Sequence, residues 1–210
     1  MQATNFSGIS AQDLHLWRGE RAVLRGVSVD VAAGDCVHVA GPNGSGKTTL
    51  LRVIAGLLRP EEGRVHWQSA PIAGNREAYS ASLGYLGHSD ALKSDFTAIE
   101  NLAFEVGLRR RVEASEIERV LARVGLDGSR ELPARALSAG QRRRLAMARV
   151  MLASAPLWLL DEPFTNLDNS GVSIISDIVA EHLDAGGAAL IAAHQLPVIP
   201  RHVTRCVDLS

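Results

Sequence analysis

The sequence predicts an α/β fold with a mostly parallel sheet, antiparallel strands near the N-terminus and an inserted α-helical subdomain. A glycine-rich segment at 41–48 lies between a strand-like run and a helix-like run. Strand-like and helix-like patterns alternate around this segment, which indicates a parallel sheet with helices on both faces. The middle of the chain is mainly helical, which indicates the insertion.

One domain is expected over residues 1–210. Its core is predicted at about 1–83 and 156–210, and its helical subdomain at about 84–155. A hydrophobic content of 46% is enough to bury one sizeable core with an inserted subdomain, without disulfides or a structural metal.

The N-terminal part contains three short strand patterns separated by Gly-containing turns. They cover Ile9–Leu16, Val23–Val31 and Arg64–Trp67, and they predict an antiparallel edge. A fourth apolar run, Cys36–Ala40, leads into the glycine-rich segment. After that segment, a helix is predicted from Lys47. Its apolar stripe consists of Leu50, Ile54 and Leu58, and Pro60 is expected to end it.

Three capping boxes predict helices in the middle of the chain: Thr97–Glu100, Ser115–Glu118 and Ser138–Gln141. Each is followed by apolar residues at helical spacing. The core then resumes with a buried strand at Leu157–Leu160. A crossover helix around Ile174–Leu183 and a strand at Ala188–Ala193 follow.

The glycine-rich segment has the composition of a phosphate-binding loop: Gly41, Pro42, Asn43, Gly44, Ser45, Gly46, Lys47, Thr48, with Thr49 next. Glycines let successive N–H groups point into one concavity, and the N-terminal dipole of the next helix attracts phosphate. Lys47 supplies a charge for the β/γ-phosphates, and Thr48 supplies a hydroxyl for Mg²⁺. A Gly-rich turn is the alternative, but the flanking strand and helix favour a nucleotide site.

Two adjacent carboxylates, Asp161 and Glu162, follow the buried strand at the edge of the sheet where α/β proteins bind ligands. Asp161 is expected to hold Mg²⁺ directly or through water. Glu162 points the other way and is expected to orient or deprotonate the attacking water. An acidic pair alone is weak support, but together with a phosphate loop it predicts a hydrolytic site.

Charge and composition argue against several other functions. The net charge of −1 gives no basic excess for a nucleic-acid partner. The runs Arg109–Arg111 and Arg142–Arg144 are interpreted as solvated helix faces. Met1–Gly19 has no apolar signal region and no stretch is long enough to span a bilayer, so a membrane role would require a partner. Cys36 and Cys206 have no metal-ligand spacing and suit a reducing cytosol.

The chain resembles the ATP-binding-cassette (ABC) ATPases over nearly its whole length. Leu137–Gln141 is similar to their LSGGQ signature, with Ala139 replacing a glycine. The order of the motifs also matches: phosphate loop, signature, Asp161-Glu162, a D-loop containing Asp168, and a switch histidine, His194. The resemblance implies ATP and Mg²⁺ as ligands, with Glu162, His194 and Lys47 as catalytic residues. His194 alone would more often be a structural histidine.

The same resemblance implies a head-to-tail homodimer. The nucleotide would lie between the phosphate loop of one copy and the signature residues Ser138, Ala139, Gly140 and Gln141 of the other. Ser138 is expected to cap a helix whose N-terminus receives the γ-phosphate, and Gly140 to allow close approach of the backbone. Trp17 is similar to the family's adenine-stacking aromatic, but its spacing differs by about one residue, so packing in the core is a second interpretation.

His88 occupies the position of the family's Q-loop glutamine. An imidazole can contact a water or a Mg²⁺-bound oxygen, but it can also become cationic. The segments 86–88, 92–102, 157–165 and 193–195 resemble the ATP-binding subunit of the bacterial cytochrome c maturation system, a haem exporter ATPase.

That resemblance implies an ATPase bound to integral membrane subunits at the cytoplasmic face of the bacterial inner membrane. An ABC ATPase for another transported substrate and a soluble, non-transport ABC ATPase are the alternatives.

Overall fold

The computed structural model describes residues 8–108 and 110–210. The interpretation of Arg109 as part of a solvated face lies outside these residues. The strands are β1 (Ile9–Arg18), β2 (Arg21–Val31), β3 (Cys36–Ala40), β4 (Glu62–Trp67), β5 (Ala70–Pro71), β6 (Leu83–Leu86), β7 (Leu157–Asp161), β8 (Ala188–Ala192) and β9 (Thr204–Asp208). The α-helices are α1 (Lys47–Ile54), α2 (Arg76–Ala81), α3 (Ala98–Gly107), α4 (Ala114–Arg123), α5 (Ala139–Leu152) and α6 (Asn169–Asp184).

Two sheets form the framework. The four-stranded sheet has the order β2-β1-β4-β5 with antiparallel neighbours, which confirms the predicted antiparallel N-terminal strands. The five-stranded sheet has the order β6-β7-β8-β3-β9 and is parallel throughout. The α/β fold class is therefore confirmed.

Alternate residues of the parallel strands enter two separate hydrophobic clusters, as the two-residue period of a strand requires. Leu157 and Leu159 of β7 pack with α1 and the antiparallel sheet. Trp158 and Leu160 pack with α5, α6 and the other helices of the middle segment. The parallel sheet is thus covered on both faces.

Two of the three predicted capping boxes are confirmed, at Thr97 before α3 and at Ser138 before α5. The prediction of a capping box at Ser115–Glu118 is wrong. Helix α4 begins at Ala114, and its N-cap residue, Glu113, makes no side-chain cap bond. The Glu113 carbonyl accepts from the N–H groups of Glu116 at 2.9 Å and Ile117 at 3.3 Å, so Ser115 lies inside the first turn.

Helix α1 is shorter than predicted. It ends at Ile54, because Gly56 adopts a left-handed conformation with φ +71°. The N–H groups of Leu57 and Leu58 both bond to the Arg52 carbonyl, as in a helix-terminating turn. Leu58 therefore lies beyond the helix, although it still packs against the core.

The interpretation of Arg142–Arg144 as a solvated face is wrong. Arg143 is only 3% exposed. Arg142 and Arg144 are half-buried. Arg142 donates to the Leu137 carbonyl, and Arg144 donates to the carbonyls of Val124 and Gly125.

Strands β6 and β9 were not predicted, and both lie in the parallel sheet. Within the described part of the chain, no helix is both long and apolar enough to cross a membrane.

Candidate nucleotide-binding and hydrolysis site

The segment between β3 and α1 has the backbone of an anion-binding loop. Gly46 precedes α1 with φ +106°, and no side chain caps the N-terminus of this helix. A Cβ atom at Gly46 would lie 2.8 Å from the carbonyl oxygen of Val23, so only glycine fits there. The Ser45 hydroxyl is buried and has no hydrogen-bond partner among the described residues. Uncapped N–H groups and an unpaired hydroxyl fit a phosphate ligand.

Lys47 brings its positive charge into this loop. Its side chain is almost fully buried, at 7% exposure. The Nζ atom donates to the carbonyl oxygens of Gly41 at 2.7 Å and Pro42 at 3.1 Å. The ammonium group is therefore held at the loop itself.

Thr48 and Asp161 meet at the carboxyl edge of the parallel sheet. The Thr48 hydroxyl donates to Asp161 at 2.9 Å from Oδ2 and 3.1 Å from Oδ1. Asp161 ends β7 and is only 1% exposed. A hydroxyl and a carboxylate in contact are the hard oxygen donors that Mg²⁺ prefers, so this pair fits the metal.

Glu162 follows β7 in an unusual backbone conformation. Its φ is +53°, in the left-handed region that a residue with a Cβ seldom adopts. Its N–H donates to the Ala192 carbonyl at 2.7 Å. Glu162 lines a cavity of about 330 Å³ together with loop residues and residues from the N-terminal hairpin. The lining is Arg18, Arg21, Val23, Asn43, Gly44, Gly46, Lys47, Thr48, Thr49, His88 and Glu162.

Two histidines reach the same region. The Nε2 atom of His194 lies 2.6 Å from Oδ1 of Asn43, so the ring donates to the loop side chain. His194 is exposed, unlike a histidine satisfied inside a core. His88 lines the same cavity as the loop residues. The phosphate loop, the acidic pair and both histidines are therefore brought together.

A protein-family model described as ABC transporter matches residues 24–165. The chain belongs to the ABC transporter family. Its ATP-binding fold and its relatives make it an ABC-type ATPase. ATP-binding subunits of ABC transporters form dimers and associate with membrane subunits.

Two curated relatives carry the same description, "Cytochrome c biogenesis ATP-binding export protein CcmA". The relative from Haemophilus influenzae is 45% identical over 188 residues, covering 89% of each chain. The relative from Nitrosococcus oceani is 49% identical over 177 residues, covering 84% of this chain and 81% of its own. A solved structure titled "Structure of ATP binding subunit of ABC transporter" matches with a TM-score of 0.80 and 25% identity, over 90% of this chain and 80% of that one.

The ABC signature residues lie at the N-terminus of α5. Ser138 accepts a hydrogen bond from the Gln141 N–H at 3.1 Å, and the Gln141 side-chain oxygen accepts from the Ser138 N–H at 2.8 Å. Ser138 and Ala139 are exposed. In the part of the chain that the structure describes, the signature residues do not line the 330 Å³ cavity. A Cβ at Gly140 would lie 2.7 Å from the Asn166 carbonyl oxygen, so this glycine permits close contact with the D-loop.

Asp168 caps α6, accepting a hydrogen bond from the Gly171 N–H at 2.8 Å.

Trp17 is 37% exposed, so it is not packed in the core. Its ring stacks on His15, with ring centroids 5.7 Å apart. Stacking of Trp17 on adenine stays a prediction.

Sequence reasoning missed three arginines of this region. Arg18 and Arg21 line the cavity, and Arg21 also donates to the Gly44 carbonyl at 3.2 Å. Trp17 was the functional residue predicted in this hairpin, and two arginines at its turn resemble ordinary surface charges. The third arginine, Arg143, lies behind the acidic pair.

Proposed function

We propose that this chain is the ATP-binding and ATP-hydrolysing subunit of an ABC transporter complex that acts in c-type cytochrome biogenesis. The single observation that carries the hydrolytic part is the meeting of Lys47 and Thr48, in the loop after β3, with Asp161 and Glu162 at the end of β7. The cytochrome part is supported by the relatives described as cytochrome c biogenesis ATP-binding export proteins.

Each residue at the loop has a separate task. The N–H groups at the start of α1 and the Lys47 ammonium bind the phosphates and reduce their mutual repulsion. Gly41, Pro42, Asn43, Gly44, Ser45, Gly46, Thr48 and Thr49 complete the phosphate site. When bound, Mg²⁺ neutralises phosphate charge, with Thr48 and Asp161 as its protein-derived ligands, in part through water.

Glu162 is the group that orients the attacking water and accepts its proton. Support comes from its place in the lining of the phosphate cavity, since a general base must lie within reach of the reacting water. His194 contacts the loop through Asn43 and would sense the γ-phosphate. His88 supplies an imidazole where other ABC ATPases have a Q-loop glutamine.

The catalytic unit is a head-to-tail homodimer. The exposed tip of α5, with Ser138, Ala139, Gly140 and Gln141, binds the γ-phosphate held by the partner copy. Asp168, at the start of α6, lies beside that tip through the contact of Gly140 with Asn166. ATP therefore joins two copies, and hydrolysis releases them.

Dimer closure is transmitted to integral membrane subunits that handle haem. The chain works peripherally at the cytoplasmic face of the bacterial inner membrane, with those subunits as its anchor. Support comes from the relatives' description as export proteins.

The test is complementation of a bacterium that lacks its own CcmA. The full chain is expressed with the membrane proteins encoded beside its gene, and c-type cytochromes are measured by haem staining. We expect the native chain to restore them. We expect Glu162→Gln to lose at least about 100-fold in ATP hydrolysis, to restore nothing and to accumulate an ATP-bound dimer.

Glu181→Gln is the matched control, since Glu181 is an exposed carboxylate on α6 that pairs with Arg123 away from the site. It should behave as the native chain does. Normal turnover by Glu162→Gln would exclude Glu162 as the base. ATP hydrolysis without any cytochrome restoration would exclude the cytochrome role and leave a transporter of another substrate.

A further inference from the structure

Arg143 is a buried cation whose hydrogen bonds end on the hydrolytic turn. Its side chain is only 4% exposed, the lowest value among the ion-paired arginines of the described residues. Nη2 donates to the carbonyl oxygens of Asp161 and of Glu162, the latter at 3.0 Å. One nitrogen therefore binds the backbone of both acidic residues.

The other terminal nitrogen binds the segment that contains His88. Nη1 donates to the Gly87 carbonyl at 3.0 Å and to the Asp90 carboxylate at 2.9 Å. His88 lies between these two acceptors in the sequence. A single planar guanidinium thus connects the His88 segment to the Asp161-Glu162 turn, with α5 as its support.

The turn needs such support because of the backbone of Glu162. A left-handed φ is strained for a residue with a Cβ and persists only where neighbouring contacts hold it. On one side the Glu162 N–H bonds to Ala192, and on the other its carbonyl accepts from Arg143. These two bonds fix the peptide groups on either side of Glu162, which lines the cavity.

We propose that Arg143 is a positioning residue for hydrolysis: it holds Glu162 in its left-handed conformation and fixes its place relative to His88. Arg143 itself does not line the cavity, and none of its hydrogen bonds reaches the phosphate loop. It acts on the rate of the chemical step through Glu162 and leaves nucleotide binding to the loop. The inference rests on the proposed ATPase function.

The same helix offers a matched control. Arg149 donates to the Asp90 carbonyl at 2.6 Å and to the Ala91 carbonyl at 3.3 Å, and it pairs with Glu105. It therefore holds the same segment as Arg143. Among the contacts of the described residues, it makes none to Asp161 or Glu162.

The experiment compares Arg143→Lys, Arg149→Lys and Asp90→Asn as the full chain in complex with its co-purified membrane subunits. Lysine keeps a cation beside Asp90. A single ammonium group cannot bind the His88 segment and the Asp161-Glu162 turn at the same time, as the guanidinium group does. We expect Arg143→Lys to lower kcat about 30-fold and to leave KM for ATP within about two-fold. Arg149→Lys and Asp90→Asn should each keep kcat within about three-fold, because the bonds to the acidic turn remain.

A second readout separates positioning from general damage. In a Glu162→Gln background, Arg143→Lys should cause no further loss in the single-turnover rate, because the group it positions is already disabled. Equal kcat losses in Arg143→Lys and Asp90→Asn would overturn the inference, because the ion pair between Arg143 and Asp90 would then account for the whole effect. Additive losses in the double variant would overturn it as well. A native complex without ATPase activity would instead refute the proposed function.

Discussion

The N-termini of α1 and α5 are built in opposite ways. Helix α1 follows a glycine with φ +106° and has no side-chain cap, and a buried serine beside it lacks a hydrogen-bond partner among the described residues. Helix α5 begins with a complete capping box between Ser138 and Gln141. Because α5 satisfies part of its own terminus, it needs a ligand less than α1 does. We therefore expect a phosphate site within a single chain at α1, and a weaker phosphate contact at α5.

Helix α3 sharpens this comparison, since it begins with the same kind of box. Thr97 and Glu100 exchange the same two bonds as Ser138 and Gln141. A capping box alone therefore does not mark a phosphate contact. What distinguishes α5 is the proximity of its tip to the D-loop, through Gly140 and Asn166.

The largest effect is expected at the start of α1. Gly46→Ala would place a Cβ 2.8 Å from the Val23 carbonyl oxygen at a left-handed φ, so the loop must move. We expect ATP affinity to fall about 100-fold, equivalent to about 3 kcal/mol, in a titration with a fluorescent ATP analogue.

Gly34→Ala is the control for this change. Gly34 also has a left-handed φ, of +80°, but nothing lies within 4 Å of its added Cβ. It should cost about 1 kcal/mol of unfolding free energy and leave ATP binding unchanged. Equal ATP affinities in the two variants would break the proposed distinction between loop geometry and general strain.

An intermediate effect is expected at the tip of α5. Gly140→Ala would push the helix away from the Asn166 carbonyl oxygen, which the added Cβ would approach to 2.7 Å. We expect about ten-fold slower hydrolysis with unchanged ATP binding to the isolated chain, because only the surface proposed to face the second copy is disturbed. Gly107→Ala in α3 is the control, since no atom lies within 4 Å of its Cβ, and it should have normal activity. A loss of ATP binding by Gly140→Ala would contradict the separation of the two helix tips.

The smallest effects are expected when the capping residues of α5 and α3 are replaced. Ser138→Ala and Thr97→Ala each remove one cap bond, so each should lower the unfolding free energy by about 1 kcal/mol in urea titrations. Only Ser138→Ala should also slow ATP hydrolysis, by about five-fold, through the lost hydroxyl. Equal ATPase rates in the two variants would reduce Ser138 to a structural cap.

The sequence was most informative where backbone conformation and chemistry require particular residue types. The phosphate loop could be predicted because its backbone conformation requires glycines. Lys47 and the acidic pair could be predicted because phosphate and Mg²⁺ require a cation and carboxylates. The strands at β7 and β8 were also predictable, since buried parallel strands are continuous apolar runs.

The failures concern contacts that leave no pattern in the sequence. Arg143 looked like surface charge, because its partners are mostly backbone carbonyls from residues far away in the chain. Ser115 had the spacing of a capping box, but the Glu113 carbonyl accepts the first helical N–H groups, so α4 starts earlier. Strand β9 contains charged and exposed residues, so its short segment lacks the apolar signal of a buried strand.

Strand β3 pairs with two strands that the ribosome synthesises much later. The strand that leads into the phosphate loop bonds to residues 189–192 of β8 on one side and 204–208 of β9 on the other. Both neighbours are synthesised late, and pairing across such a sequence distance is slow. A nascent chain therefore contains Gly46 and Lys47 well before β3 can pair with both of its neighbours. The phosphate loop gains its full support in the sheet only when the segment up to residue 208 has been made.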